Sequence, residues 1–242
     1  RQIHWLRCRW RFVSPERFGA MISGREPITD RNVLLTFDDG FQSHRWVADA
    51  VLNPLGIRAL FFVPTDFIGL KDRLAQKKFI AENIFAGQLP VQDVPDYWAP
   101  MSWIDLEEML EAGHTLGSHT CSHSRLSELT TESKLFTELE GSATCLDSHL
   151  GVSTEHFAYP FGNLASCSGA AVTVALKSYR FIYSGLRGEN SRRIPCWAVR
   201  RDSVSPTDSC FYLGALLEGA VDWWYTRDVS RLESMGRGRQ AS

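Results

Sequence analysis

Short apolar runs alternate with stretches of helical spacing along most of the chain. The run Asn32–Phe37 is largely apolar and precedes two acidic residues and a glycine, which predicts a buried strand that ends at a turn. Helical spacing covers Arg45–Leu55, and Ile57–Val63 is a second apolar run that stops at Pro64. A strand, a helix and another strand in this order indicate parallel strands joined by a right-handed crossover.

The alternation of strands and helices continues through the second half of the chain. The further predicted elements are helix Ile104–Ala112, strand Thr115–Gly117, helix Thr130–Leu150, strand His156–Tyr159, helix Gly169–Ser178, strand Phe181–Ser184, strand Ile194–Val199 and helix Thr207–Gly219. Residues 66–100 follow no clean period, and we predict an irregular excursion there at the rim of a substrate site. This order predicts an α/β fold whose parallel sheet is either open or closed into a barrel.

Composition limits the classes of protein to consider. The chain has 242 residues and is 44% hydrophobic, which suits one globular domain over residues 1–229, while the polar residues 230–242 are predicted to form a flexible tail. With 26 basic and 28 acidic residues, the net charge of -2 gives no reason to expect nucleic acid as a partner.

The sequence also bears on membrane spans, disulfides and location. No apolar run reaches the roughly 20 residues of a membrane span. The six cysteines include no C-x-x-C pair, which argues against a disulfide scaffold. We expect a cytoplasmic protein, although a chain that begins at Arg1 rather than Met makes a missing signal peptide weak support.

Polar clusters follow three of the predicted strands, where parallel strands present their carboxyl ends to one edge. Asp38 and Asp39 form the first cluster, and adjacent carboxylates repel each other unless a cation or a proton intervenes. A solvent-facing turn is the alternative. His119 and His123 form the second cluster, and their spacing of four residues is a common way to hold Zn²⁺. A chance pair of surface histidines is the alternative there.

The third cluster, Phe157–Asn163, either ends a strand at an ordinary turn or exposes a backbone N–H near a reacting oxygen. Together the three clusters supply what metal-assisted amide hydrolysis needs. One carboxylate and two imidazoles make three metal ligands and leave a position open for water. The second carboxylate can act as a base on that water, and an N–H donor can stabilise the tetrahedral oxyanion.

Three motifs in this order resemble those of the polysaccharide deacetylase family, also called carbohydrate esterase family four. They are Thr36–Gly40 (T-F-D-D-G), His119–His123 (H-T-C-S-H) and Ala158–Gly162 (A-Y-P-F-G). The first two lie about 80 residues apart and are specific as a set. The resemblance implies a distorted (β/α) barrel with parallel strands in a single domain.

The resemblance also implies a role for each motif residue. Asp39, His119 and His123 would bind a divalent metal, with zinc as the expected ion, and Asp38 would be the general base. The backbone N–H of Phe161 would help to hold the oxyanion. The implied reaction removes an N-acyl group, expected to be N-acetyl, from a sugar or oligosaccharide in bacterial surface polysaccharide or lipopolysaccharide biosynthesis. A catalytically degenerate glycan-binding relative and a related C–N hydrolase acting on small amides are the alternatives, and the sequence does not indicate an oligomeric state.

Two features depart from the family pattern. Ala158 stands where the family often has an arginine that orients the catalytic carboxylate, and Cys196 follows Pro195 where other members supply one. The candidate replacements are Arg193, Arg200 and Arg201.

The second departure concerns the proton donor for the leaving amine. The family's late histidine is missing, because no histidine follows His156. His4 and His44 are the remaining candidates, and a solvated or packed histidine is the alternative reading of each.

Overall fold

The structure is a computed structural model that describes residues 1–29, 31–191 and 194–237. In chain order the helices and strands are α1 (Gln2–Arg7), β1 (Arg11–Phe12), α2 (Pro15–Ile22), β2 (Asn32–Val33), β3 (Thr36–Phe37), α3 (Gln42–Val47), β4 (Leu60–Val63), α4 (Arg73–Phe79), α5 (Trp103–Glu111), β5 (Thr115–Ser118), α6 (Glu132–Leu150), β6 (His156–Ala158), α7 (Gly169–Ser178), β7 (Phe181–Tyr183), α8 (Cys210–Leu217) and α9 (Thr226–Gly236). Two π-helical segments, Ala48–Leu52 and Ile80–Ile84, extend α3 and α4.

Five parallel strands form a curled half-barrel sheet in the order β3-β4-β5-β6-β7. Each strand pairs with the next one in sequence, so every connection is a crossover that places helices against the sheet. A bridge between Tyr183 and Val199 adds one further parallel pair at the β7 edge. The predicted α/β barrel with parallel strands in a single domain is therefore confirmed, and its strand ends meet at one edge of the sheet.

Burial explains why the strand sequences are continuously apolar rather than alternating. All four residues of β4 are buried, as expected for a parallel strand covered on both faces. In β5, a Cβ added to Gly117 would lie 2.7 Å from the Phe62 ring and 2.9 Å from the His156 carbonyl oxygen. Only glycine fits there without a shift of its neighbours, so β4, β5 and β6 approach closely beneath the polar strand ends.

Several predicted elements differ in their bounds. The predicted strand Asn32–Phe37 is two strands, because the chain changes partner from β1 at β2 to β4 at β3. The predicted helix Arg45–Leu55 begins earlier, at Gln42, and its last residues form a 3-10 turn that contains Pro54, which lacks an N–H donor. The predicted strand Ile194–Val199 contributes only its last residue to a bridge.

The carboxyl-terminal predictions need correction as well. The predicted helix Thr207–Gly219 begins at Cys210, because the Ser209 side chain caps the first turn by accepting from the Tyr212 N–H. Residues 230–236 of the predicted flexible tail belong to α9, which packs Leu232 against the core. Residues 238–242 of that prediction lie outside the described residues.

The excursion at 66–100 has a small core of its own. This core includes residues of α4 and of the second π-helical segment, and its buried members are Phe67, Ile80, Ala81, Ile84 and Val94. Phe41 and Trp98 pack against this core with their rings 5.9 Å apart. The excursion is therefore a packed layer over the first motif. None of the helices in the described part of the chain combines the length and apolarity needed to cross a bilayer.

A buried histidine couples the stability of this fold to pH. Burial lowers the pKa of His156 from 6.5 to about 4, and its Nδ1 lies 2.9 Å from the Tyr183 hydroxyl. Because the folded pKa is lower than the unfolded one, the stabilising contribution is complete above pH 6.5 and is lost as the pH falls toward 4.

We expect the free energy of unfolding to fall by up to about 3 kcal/mol over this window through His156 alone. Denaturant unfolding at several pH values measures it. His156→Gln should flatten the pH dependence, whereas His4→Gln, a change at an exposed histidine of α1, should not. An equally steep loss of stability in His156→Gln would contradict the assignment.

Candidate metal centre and active site

The carboxylate of Asp39 meets the imidazoles of His119 and His123 at the carboxyl edge of the sheet. Asp39 Oδ1 lies 3.2 Å from His123 Nε2 and 3.5 Å from His119 Nε2, and one ligand atom from each residue falls within 4.8 Å of the others. A tetrahedral ion with bonds of about 2.1 Å separates its ligand atoms by about 3.4 Å. The three side chains that the sequence indicates as candidate metal ligands thus converge, and their spacings suit one such ion.

Main-chain carbonyl groups orient both imidazole rings. His119 Nδ1 donates to the Ala158 carbonyl oxygen at 2.7 Å, and His123 Nδ1 donates to the Asn83 carbonyl oxygen at 2.9 Å. A ring that donates through Nδ1 carries its lone pair on Nε2, which is the nitrogen that faces Asp39. Both histidines are buried, so their Nε2 atoms are held in the orientation that a metal ligand needs.

Backbone strain is concentrated at this site. Positive φ angles occur at Asp39 (75°), Thr120 (67°), His123 (60°) and Phe161 (62°), and Ala86 is the other non-glycine residue of this kind in the described chain. Such angles cost energy in residues with a Cβ and recur at functional sites, where surrounding contacts hold them in place.

Two helices hold the histidine loop, residues 119–123, in that strained conformation. Ser122 donates to the Glu138 carboxylate from its N–H at 2.9 Å and from its hydroxyl at 2.7 Å. The Asn83 side chain donates to the Ser122 carbonyl oxygen at 2.8 Å. Asn83 and Glu138 were not anticipated from the sequence, because their roles depend on contacts between distant segments.

Of the three arginines that the sequence offers as partners for the catalytic carboxylate, Arg201 is the one that binds Asp38. Its Nη1 and Nη2 lie 2.6 Å and 2.9 Å from the two carboxylate oxygens of Asp38, and its Nε donates to the Ser184 carbonyl oxygen at 3.0 Å. Of the other candidates, Arg200 pairs with Glu233, and Arg193 lies outside the described residues.

The surroundings of Asp38 favour its ionised form. Burial raises the pKa of this carboxyl, but Arg201 and His119 more than offset burial and hold the pKa below its ordinary value. Asp38 Oδ2 also lies 3.9 Å from His119 Nε2, so an ionised, oriented carboxylate stands directly beside the three candidate ligands. Such a group is suited to accept a proton from a water molecule.

Phe161 lies in the turn after β6, next to the imidazoles. Its ring centroid is 4.9 Å from that of His123, and the Arg125 guanidinium lies 4.2 Å from the centre of the same ring. Among the described residues, none accepts a hydrogen bond from the Phe161 N–H. The turn thus offers an unused N–H donor beside the histidine pair.

The two candidate proton donors differ in their surroundings. His44 is packed between aromatic rings, with its centroid 5.3 Å from that of Phe37, and burial lowers its pKa although Asp39 and Asp38 act in the opposite direction. His4 lies exposed on α1. Of these two candidates, His44 is therefore the one whose pKa responds to the charges of Asp38 and Asp39.

Comparisons with known proteins agree with this fold. The family model described as polysaccharide deacetylase matches residues 25–177, which is more than half of the chain. This chain belongs to the polysaccharide deacetylase family.

Individual relatives span most of the chain. YxkH of Bacillus subtilis (strain 168), whose name assigns it to the polysaccharide deacetylases, is 25% identical over 208 residues, which are 85% of this chain but only 63% of YxkH. Among solved structures, IcaB from Ammonifex degensii is 26% identical, with a TM-score of 0.68 over 90% of this chain and 87% of IcaB. The Streptococcus pyogenes deacetylase PplD, solved with acetate, is 22% identical, with a TM-score of 0.69 over 89% of this chain and 84% of PplD.

We expect Asn83→Ala to lower the affinity for Zn²⁺ by about tenfold, because it removes the amide that holds the histidine loop while leaving all three ligands in place. Competition with a chromogenic chelator measures the affinity. Gln88→Ala changes an exposed side chain in the same excursion and serves as the control. Equal affinities in Asn83→Ala and Gln88→Ala would show that the amide does not support the site.

Proposed function

We propose that this protein is a metal-dependent hydrolase that removes an N-acetyl or related N-acyl group from an amino sugar within a polysaccharide or oligosaccharide. One observation carries the proposal: the Asp39–His119–His123 cluster lies beside a carboxylate that Arg201 holds ionised. The family supports a carbohydrate deacetylase.

Asp39, His119 and His123 would hold the ion. Their donor set of one carboxylate and two imidazoles, with both Nε2 atoms directed at the carboxylate, fits Zn²⁺. A divalent ion bound there would polarise the acyl carbonyl group and lower the pKa of water toward neutrality.

The remaining steps belong to side chains and main chain of this protein. Asp38 accepts a proton from the attacking water while the water oxygen bonds to the acyl carbon. Arg201 keeps the Asp38 carboxylate oriented during this transfer, because both terminal guanidinium nitrogens, Nη1 and Nη2, bind it. The Phe161 N–H donates to the oxyanion that forms. The C–N bond then breaks, the proton that Asp38 took from the water passes to the amine nitrogen, and the acid and the amino sugar are released.

Arg201 bears on the alternative of a non-catalytic relative. That alternative was motivated by the arginine missing at Ala158 and by the absence of a late histidine. Since Arg201 binds Asp38 with two hydrogen bonds, the first of these reasons no longer applies.

We place the reaction in bacterial surface polysaccharide or lipopolysaccharide biosynthesis, as an extension of the family name. A cytoplasmic location stays a prediction from the sequence.

We expect the purified protein to release acetate from N-acetylated amino-sugar oligosaccharides, and a chelator should abolish this activity reversibly. Asp38→Asn should lower kcat by about 10²- to 10⁴-fold while Zn²⁺ still binds, because only the proton acceptor is lost. Asp93→Asn, at an exposed carboxylate, is the control. Acetate release that survives both chelation and Asp38→Asn would defeat the proposed mechanism.

Arg201→Ala should lower kcat by about tenfold to hundredfold, because two charge-assisted hydrogen bonds to the base are lost. Arg200→Ala is the matched control, since the Arg200 side chain contacts Glu233 rather than Asp38. Steady-state kinetics on the same oligosaccharide compare the two variants. If they lose activity equally, Arg201 does not act through Asp38.

A further inference from the structure

The segment that carries Arg201 forms an irregular edge of the sheet next to β7. Val199 N–H donates to the Ile182 carbonyl oxygen at 3.0 Å, and Ser184 N–H donates to the Val199 carbonyl oxygen at 2.8 Å. Arg201 N–H donates to the Leu186 carbonyl oxygen at 3.1 Å. Residues 199 and 201 thus direct their main-chain groups toward the β7 side of the segment.

The intervening residue, Arg200, directs its main-chain groups the other way. In an extended segment, alternate residues bond to opposite sides, so the Arg200 N–H and carbonyl oxygen face the edge where a closed barrel would have another strand. The Asn190 side chain occupies that edge. Arg200 N–H donates to Asn190 Oδ1 at 2.9 Å, and Asn190 Nδ2 donates to the Arg200 carbonyl oxygen at 2.8 Å.

We propose that Asn190 is a positioning residue for the catalytic carboxylate. Its carboxamide takes the place of a neighbouring strand, using one acceptor and one donor as a strand residue would. It thereby fixes the main chain of Arg200 and Arg201. From this main chain the Arg201 guanidinium reaches Asp38 across the gap between β3 and the segment after β7.

Neighbouring contacts restrict the segment but do not replace this pair of bonds. Arg187 forms an ion pair with Asp202 at 3.1 Å, and this contact lies beyond Arg201 in the chain. Arg201 Nε donates to the Ser184 carbonyl oxygen at 3.0 Å, which orients the guanidinium rather than the backbone at residue 200. Without Asn190, the edge-facing main-chain groups of Arg200 lose both partners in the described structure.

A double-mutant cycle in kinetics tests whether Asn190 acts through Arg201, and its activity readout rests on the proposed function. In the wild-type background, Asn190→Ala should lower kcat by about tenfold with little change in KM, because two hydrogen bonds that position the base are lost. In the Arg201→Ala background, the same change should cost less than about twofold. Glu189→Ala is the matched control, because this neighbouring side chain is exposed and only its backbone carbonyl binds Arg200.

Two kinetic results would overturn the proposal: an unchanged kcat in Asn190→Ala, or an equal loss in both backgrounds. A crystal structure of Asn190→Ala gives a readout that does not depend on activity. The Arg201 guanidinium should be displaced from Asp38 in that variant, and a retained two-pronged contact would also overturn the proposal. An inactive wild-type protein would count against the proposed function, whereas the position of Arg201 would still decide the role of Asn190.

Discussion

The separation of two adjacent, half-buried carboxylates is the constraint on which this site depends. Asp38 and Asp39 are consecutive, and two like charges at one strand end destabilise each other unless each has its own countercharge. The positive φ of Asp39 turns the chain so that its carboxylate faces His119 and His123, while Asp38 faces Arg201. The site therefore needs cationic or polarisable partners on both sides of β3.

The open half-barrel provides those partners from opposite directions. The histidine loop follows β5, which lies two strands from β3 on one side. Arg201 approaches from beyond β7, the other edge of the same sheet, and it joins Asp38 and Thr36 across the gap. Because the sheet curls, its first and last strands come near each other, and the Arg201–Asp38 ion pair links edges that no main-chain ladder joins in the described residues. The Arg201–Asp38 ion pair thus links the two edges of the sheet and also orients the Asp38 carboxylate.

The sequence was sufficient to predict the strand ends and the cluster at Asp39, because apolar runs and motif spacing are local signals. It could not select Arg201 among three arginines, since that choice depends on how β7 and the following segment pack. It also missed Asn83, because its carbonyl oxygen and its side chain act on the histidine loop through contacts between segments about 40 residues apart. Residues 230–236 of α9 fall in the predicted tail because the polar residues there outnumber the apolar ones, such as Leu232, that pack against the core.

Ala158 shows why the requirement is geometric rather than tied to a position in the sequence. The side chain of Ala158 is buried, and its carbonyl oxygen accepts the hydrogen bond from His119 Nδ1. Any residue there could provide this main-chain acceptor, so β6 orients the histidine whether or not it carries an arginine. What Asp38 requires is a guanidinium with two free nitrogens at hydrogen-bond distance, and the segment after β7 supplies it. An arginine can therefore be absent from the third motif while the ionised carboxylate that the chemistry needs is retained.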